Sequence, residues 1–164
     1  MFTTLNAITQ RTRQHHGIEH ATIHILSSRF PERRFTGLSD PTGFTIFGEV
    51  DEQAMRRAAG DALLRLQAGE QSLAIHPNCG TNLATTGVLA TAAAMIGAAG
   101  RGRGLLDKFA TALLLVIPAI IVSRPIGMRI QGYTTTADVG DRWLVDIRPI
   151  QIGGVRAHRV TFDR

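Results

Sequence analysis

Four of the six histidines of this 164-residue chain fall within the ten residues HHGIEHATIH, 15–24, together with one carboxylate, Glu19. On an α-helix, residues four positions apart lie on one face, so His16, His20 and His24 would form a ridge. Glu19 lies about 100° around such a helix from His20 and about 60° from His16. We therefore predict that His16 and His20 can share a metal ion, with the Glu19 carboxylate beside it.

A second motif, IHPNCGTN at 75–82, supplies one imidazole and one thiol, His76 and Cys79. Their spacing is typical of a chelating turn, which Pro77 would stiffen. Gly80 is expected to adopt a positive φ that turns the thiol inward. Because imidazole and thiolate together suit zinc, we predict zinc as the cofactor.

Gly17 lies inside the predicted helix, where glycine costs about 1 kcal/mol relative to alanine. Such a residue usually marks a close approach by another segment, and the motif at 75–82 is the expected neighbour. The strand predicted just before His76 could bring the two motifs together. Cys79 is the single cysteine, which excludes an intrachain disulfide and favours a reducing compartment.

The two motifs carry a family resemblance. His16 to His20 resemble the H-x-x-E-H pattern of inverzincin metallopeptidases, in which the glutamate is a general base. HHGIEHATIH and HPNCGTN together resemble the paired H-G-x-E-H and H-P-x-C-G-T signature of uncharacterised bacterial membrane proteins regarded as metal-dependent enzymes. A smaller uncharacterised family, from cyanobacteria and green non-sulfur bacteria, is similar also over RPIGMRIQGYTTTAD, 124–138. The resemblance implies metal ligands and a base at His16, His20, His76, Cys79 and Glu19.

Two functions remain open from these residues. With three protein ligands, a zinc site is open to water, and Glu19 could act as the base of a metallopeptidase-like hydrolase. With four ligands the zinc is structural, and the protein would be a non-catalytic membrane subunit or assembly factor. In that case Glu19 could simply hold a ligand in place, and Cys79 could be a small buried apolar residue. His24 is either a supporting residue or a further ligand, whereas His15 and His158 are expected to be core or surface histidines.

Residues 81–124 differ in composition from the rest of the chain. The segment 83–100 carries no charge, and a second apolar segment follows the turn GRGRG at 100–104, which contains Arg101. Each approaches the roughly 20 residues that a membrane helix needs, so we predict a two-helix membrane hairpin. Ala90, Ala94 and Ala98 would let the helices approach closely, and Pro118 would kink the second helix. The alternative is a hairpin buried in a soluble core.

The flanking regions, 1–80 and 125–164, predict a small α+β body from which the hairpin projects. Hydrophobic spacing and turn residues predict the helices 6–28 and 52–67, the latter capped by Asp51. They predict strands at 43–50, 72–77, 142–150 and 159–163, with a Gly153-Gly154 turn between the last two and a polar connector at 28–43. The C-terminal strands are expected to pack on the N-terminal segment.

The chain is basic, with 18 Lys+Arg against 13 Asp+Glu. Because the arginines are dispersed rather than clustered among aromatic residues, the pattern does not favour a nucleic-acid-binding protein. A basic module docking on nucleic acid or anionic lipid remains a third hypothesis, with steep salt dependence as its mark. The N-terminus lacks the apolar segment of a signal peptide. The expected location is the cell membrane with a cytoplasmic body, and the expected partners are membrane lipid and a peptide or membrane-protein substrate.

Overall fold

The computed structural model describes residues 2–100, 102–135 and 137–163, so Arg101 of the turn and Thr136 of the C-terminal motif lie outside it. The chain forms two compact units, one made of Met1–His76 and Tyr133–Arg164 and the other of Pro77–Gly132. The predicted α+β class is confirmed. The elements are α1 (Phe2–Arg29), β1 (Thr36–Asp40), β2 (Gly43–Phe47), α2 (Glu52–Gln67), a 3-10 turn (Gln71–Ala74), α3 (Gly80–Ala98), α4 (Leu105–Thr134), β3 (Trp143–Ile152) and β4 (Val155–Asp163).

The first unit contains a four-stranded antiparallel sheet in the order β1-β2-β4-β3. The C-terminal strands join the N-terminal ones because β4 pairs with β2, with Thr45 opposite Arg159. The predicted glycine turn between β3 and β4 is confirmed. Gly153 and Gly154 have φ of 56° and 81°, a region that favours glycine.

Helices α1 and α2 build the core of the first unit together with the sheet. The predicted buried side of α2 is confirmed, and Asp51 caps this helix by accepting a hydrogen bond from the Ala54 amide at 2.8 Å. The α2 residues pack with Ile18 and Leu26 of α1 and with Phe44 of β2, all fully buried. Burial of these apolar side chains fixes α1 on the sheet, and thereby fixes the histidines that α1 carries.

Two sequence predictions in the first unit are wrong. The connector predicted at 28–43 contains strand β1, although Gly37, Ser39 and Asp40 are residues typical of turns. Pairing with β2 outweighs that local preference. The strand predicted at 72–77 is instead the 3-10 turn Gln71–Ala74 followed by a short extended segment. A short apolar run does not distinguish these conformations.

The second unit is the helical hairpin of α3 and α4. Ser123, Gly127 and Gln131 form one buried face of α4 at four-residue spacing. Gln131 donates a 3.0 Å hydrogen bond to Oδ1 of Asn82 on α3, and the Thr86 and Ser123 hydroxyls lie 2.7 Å apart. Polar side chains therefore join the two helices at this end of the hairpin.

Both hairpin helices are long and apolar enough to span a membrane. Helix α4 continues through Pro118 to Thr134, well beyond the predicted end of the apolar segment. Ala98, predicted on the packed face, is exposed, and Gly97 beside it is buried against Ala112. Most of the large apolar side chains of α4 are exposed, including Leu106 at 82% and Leu114 at 72%.

Candidate metal centre

Four imidazoles form a continuous row in the first unit. The ring centres of His16 and His20 are 4.4 Å apart, those of His20 and His76 are 5.8 Å apart, and those of His76 and His24 are 4.8 Å apart. One ring nitrogen of His16 and one of His20 lie within 4.8 Å of each other. The predicted ridge on α1 therefore meets the first residue of the second motif.

Backbone carbonyl groups orient the three α1 histidines of this row. His20 donates from Nδ1 to the Ala74 carbonyl at 2.7 Å, and His24 donates from Nε2 to the Ile75 carbonyl at 3.0 Å. His16 forms a hydrogen bond with the Thr134 backbone. This bond opposes the lowering of the His16 pKa by burial, as expected when a ring N–H donates to a carbonyl oxygen. Metal-ligating histidines typically donate their second ring nitrogen in this way, which leaves the other nitrogen for the metal.

The surroundings of His16, His20 and His76 favour the neutral form of these three imidazoles. The pKa of His20 is lowered to about 3. Burial is the largest cause, and the charge of neighbouring His16 is the second. Burial also lowers the pKa values of His16 and His76. Because an imidazole binds a metal only in its neutral form, these three histidines can bind a cation at neutral pH without first losing protons. The donor set fits a first-row divalent ion such as zinc.

Gly17 allows the Thr135 backbone to approach α1 closely. A Cβ at this position would lie 2.5 Å from the Thr135 carbonyl oxygen and 3.5 Å from Cβ of Ala74. The predicted close approach is therefore present, but the nearest atom belongs to Thr135 rather than to the motif at 75–82. The same approach brings the Thr134 backbone to His16.

The Glu19 carboxyl group lies against strand β1. The Ser39 hydroxyl donates a hydrogen bond to Glu19 Oε2, and a Cβ at Gly37 would overlap the carboxyl group. Glu19 is only 4% exposed, and burial raises its pKa to about 7 against the opposing effect of the Ser39 bond. A carboxyl group with such a pKa is suited to exchange protons near neutral pH.

Cys79 belongs to the second unit. It is the N-cap of α3, and its buried Sγ accepts a hydrogen bond from the Thr81 amide at 3.4 Å. The prediction that Gly80 has a positive φ is wrong, because Gly80 is the first residue of α3. The thiol is directed by the capping conformation of Cys79 itself, with φ of −69° and ψ of 145°.

His15 and His158 lie outside the row. His15 is buried, donates from Nδ1 to the Asp40 carbonyl at 2.8 Å and stacks on Phe162 with ring centres 5.3 Å apart. His158 is also buried, on β4. The expectation that both are ordinary core or surface histidines agrees with these positions in the core. His15 Nε2 and His158 Nδ1 have no hydrogen-bond partner within the described part of the chain.

Sequence reasoning missed the groups that support the site. Ser39 and Gly37 were assigned to a connector, yet they bind and accommodate the Glu19 carboxyl group. A polar residue two positions from a small one on a strand is too common a pattern to reveal this role. The carbonyl groups of Ala74 and Ile75 leave no trace in the sequence, because every residue has one.

Comparison with known proteins identifies a family without an assigned activity. The model of DUF6391, described as a domain of unknown function, matches residues 11–147. An uncharacterised protein of Picosynechococcus sp. (strain ATCC 27264 / PCC 7002 / PR-6) is 41% identical over 105 residues, which cover 58% of this chain. The match spans about half of that relative, 49% of its length. No solved structure matches the chain. The expected resemblance to an uncharacterised family is confirmed at this level.

Proposed function

Because the chain belongs to the DUF6391 family, whose description assigns no reaction, we propose its function from the site: a membrane-associated, zinc-dependent hydrolase resembling a metallopeptidase. The metal ligands are drawn from His16, His20, His76 and Cys79, and Glu19 is the general base. The substrate is a peptide or a membrane protein near the bilayer. The observation that carries this proposal is the pair of neutral imidazoles of His16 and His20, each held by a hydrogen bond to the backbone.

Cys79 supplies the proposed sulfur ligand. It lies three positions after His76, so the two Cα atoms are at most about 11 Å apart. A thiolate added to imidazoles favours zinc over magnesium or calcium, which prefer oxygen ligands. The thiol is also buried, as expected for a ligand rather than a surface group.

Glu19 is the proposed base because its carboxyl group is buried and its pKa is about 7. At neutral pH a substantial fraction is ionised and can accept a proton from water. Ser39 orients the carboxylate by its hydrogen bond to Oε2. When bound, zinc supplies Lewis acidity toward a carbonyl substrate and toward water.

The hairpin of α3 and α4 is the proposed membrane anchor. Exposed Leu106, Leu114 and Ile121 on α4 would lie in the hydrocarbon, where they cost nothing to expose. A hairpin returns its two ends to the same side of the bilayer, which we assign to the cytoplasm because the single thiol suits a reducing compartment. Resistance of the protein to alkaline extraction from cell membranes tests whether the hairpin is a membrane anchor.

Glu19→Gln tests the catalytic role. The full chain, purified in mild detergent with its zinc, is assayed for cleavage of quenched fluorescent peptides of mixed sequence. Loss of a general base is expected to reduce turnover by about 10²-fold to 10⁴-fold while zinc content stays unchanged. Glu32→Gln, at an exposed ion pair with Arg33, is the matched control and should retain activity. Full activity of Glu19→Gln would contradict the proposal.

A structural zinc site in a non-catalytic subunit is the second candidate. The observation that favours it is the burial of Glu19 against Ser39. A structural role, in which the carboxyl group holds α1 on β1, is sufficient to explain this burial. On this account the wild type cleaves no peptide, and Cys79→Ser lowers the melting temperature as strongly as zinc removal does. The same peptide assay thus separates the two candidates.

A further inference from the structure

The spacing of the imidazole row singles out His24 and His76 as a possible ligand pair. Two imidazoles bound to one tetrahedral ion have ring centres about 5 Å apart, because each metal–nitrogen bond is about 2.0–2.1 Å. His24 and His76, at 4.8 Å, match this separation most closely, and His16 and His20 are nearer together, at 4.4 Å. His20 and His76 are farther apart, at 5.8 Å. His16 and His24 lie eight positions apart on α1, a rise of about 12 Å, so one cation cannot be bound by every imidazole of the row.

The pair of His24 and His76 is oriented as a ligand pair should be. His24 donates from Nε2 to the Ile75 carbonyl, which leaves Nδ1 as its metal-binding atom. Ile75 immediately precedes His76, so this one hydrogen bond ties the two imidazoles together. The rings meet at 68°, an edge arrangement rather than a stack.

The pair of His24 and His76 also has access to solvent. His24 lines a cleft of about 560 Å³ formed by α1, α2 and Leu73. Both His24 and His76 are partly exposed, whereas His20 is buried. Water or a substrate group could therefore complete the coordination of an ion held by this pair.

We propose that His24 and His76 bind a second first-row divalent cation, a site outside the H-x-x-E-H motif. This inference rests on the proposed metal centre and refines it by removing His76 from the first ion. His16, His20 and Cys79 then remain for the first ion, and three protein ligands are the number typical of catalytic zinc.

Metal titration of the full-length protein in detergent tests the second site. Chelator-treated protein is titrated with Co²⁺ and Zn²⁺, with stoichiometry measured by competition against a chromophoric chelator. We expect two equivalents in the wild type and one in His24→Gln. The glutamine amide can still donate to the Ile75 carbonyl, so the backbone contact is kept while the imidazole is lost. His16→Ala should weaken binding of the tightly bound equivalent, at the first site, and keep the more weakly bound equivalent, at His24 and His76.

The cobalt spectrum separates failure of this inference from failure of the proposed function. The first equivalent should give a thiolate charge-transfer band that Cys79→Ser removes, and the second should add only ligand-field absorption. One equivalent in both the wild type and His24→Gln, with the thiolate band intact, would overturn the second site alone. No bound equivalent in the wild type, or binding unchanged in His16→Ala, would overturn both proposals. His158→Gln, a buried histidine outside the row, should bind as the wild type does.

Discussion

Replacement of Glu19 by Gln should stabilise the metal-free protein at alkaline pH. The carboxyl group is buried, and its folded-state pKa of about 7 is above the ordinary value of 4.5. A group whose pKa is raised by folding contributes stability below its unfolded pKa, and that contribution is lost as the pH rises through the folded pKa. Gln keeps the shape of the neutral acid and can accept the Ser39 hydrogen bond.

The magnitude follows from the difference between the two pKa values. A shift from 4.5 to about 7 corresponds to about 3 kcal/mol, at 1.36 kcal/mol for each pKa unit. Nearly all of this penalty is present at pH 8, whereas only a few tenths of a kcal/mol remain at pH 4. Glu19→Gln should therefore exceed the wild type in stability by about 3 kcal/mol at pH 8 and by little at pH 4.

The assay is urea denaturation of chelator-treated protein in mild detergent, at several pH values between 4 and 8. Glu32→Gln, which replaces an exposed carboxylate instead of the buried one, is the control. A difference between Glu19→Gln and the wild type that does not change with pH would refute the reasoning. It would mean that the carboxyl group is hydrated or already ionised at low cost.

Three further predictions concern the framework of the site. Gly17→Ala places a methyl group 2.5 Å from a backbone carbonyl oxygen and should destabilise the protein by about 1–3 kcal/mol in thermal denaturation. Gly60→Ala, at a position on α2 with open space around it, should stabilise the protein by about 1 kcal/mol. Equal changes in stability for Gly17→Ala and Gly60→Ala would contradict the close packing of Thr135 on Gly17. Burial lowers the pKa of His158, so stability should fall as the pH drops below about 6.5, and His158→Gln should reduce that fall in melting temperature. If the melting temperature of His158→Gln falls on acidification as much as that of the wild type, His158 is not the cause of the fall. Asn82→Ala removes a 2.6 Å bond to the Pro77 carbonyl and should destabilise the hairpin unit by about 1–2 kcal/mol in urea, while a neutral result would show that water replaces the bond.

The α1 histidine ridge was predictable because four-residue spacing dictates one face of any helix. The apolar side of α2, its Asp51 cap and the glycine turn before β4 were predictable for the same local reasons. The association of His76 with this ridge depends instead on long-range packing of the turn before it, which periodicity does not encode. The family resemblance suggested it, and the ring distances now describe it within the first unit.

Strand β1 illustrates what local sequence could not predict. Its residues TGLSD are poor strand formers, and the strand exists because β2 pairs with it. Missing β1 also hid the contacts of Glu19, because Ser39 and Gly37 belong to that strand. The error in the fold and the error in the site thus have one cause.

Zinc-edge X-ray absorption of the purified full-length protein tests the central claim most directly. We predict imidazole nitrogens at about 2.0–2.1 Å and one sulfur at about 2.3 Å. His20→Ala should lose nitrogen scattering, and Cys79→Ser should lose the sulfur. Protein that retains no zinc, or zinc surrounded only by oxygen, would contradict the account.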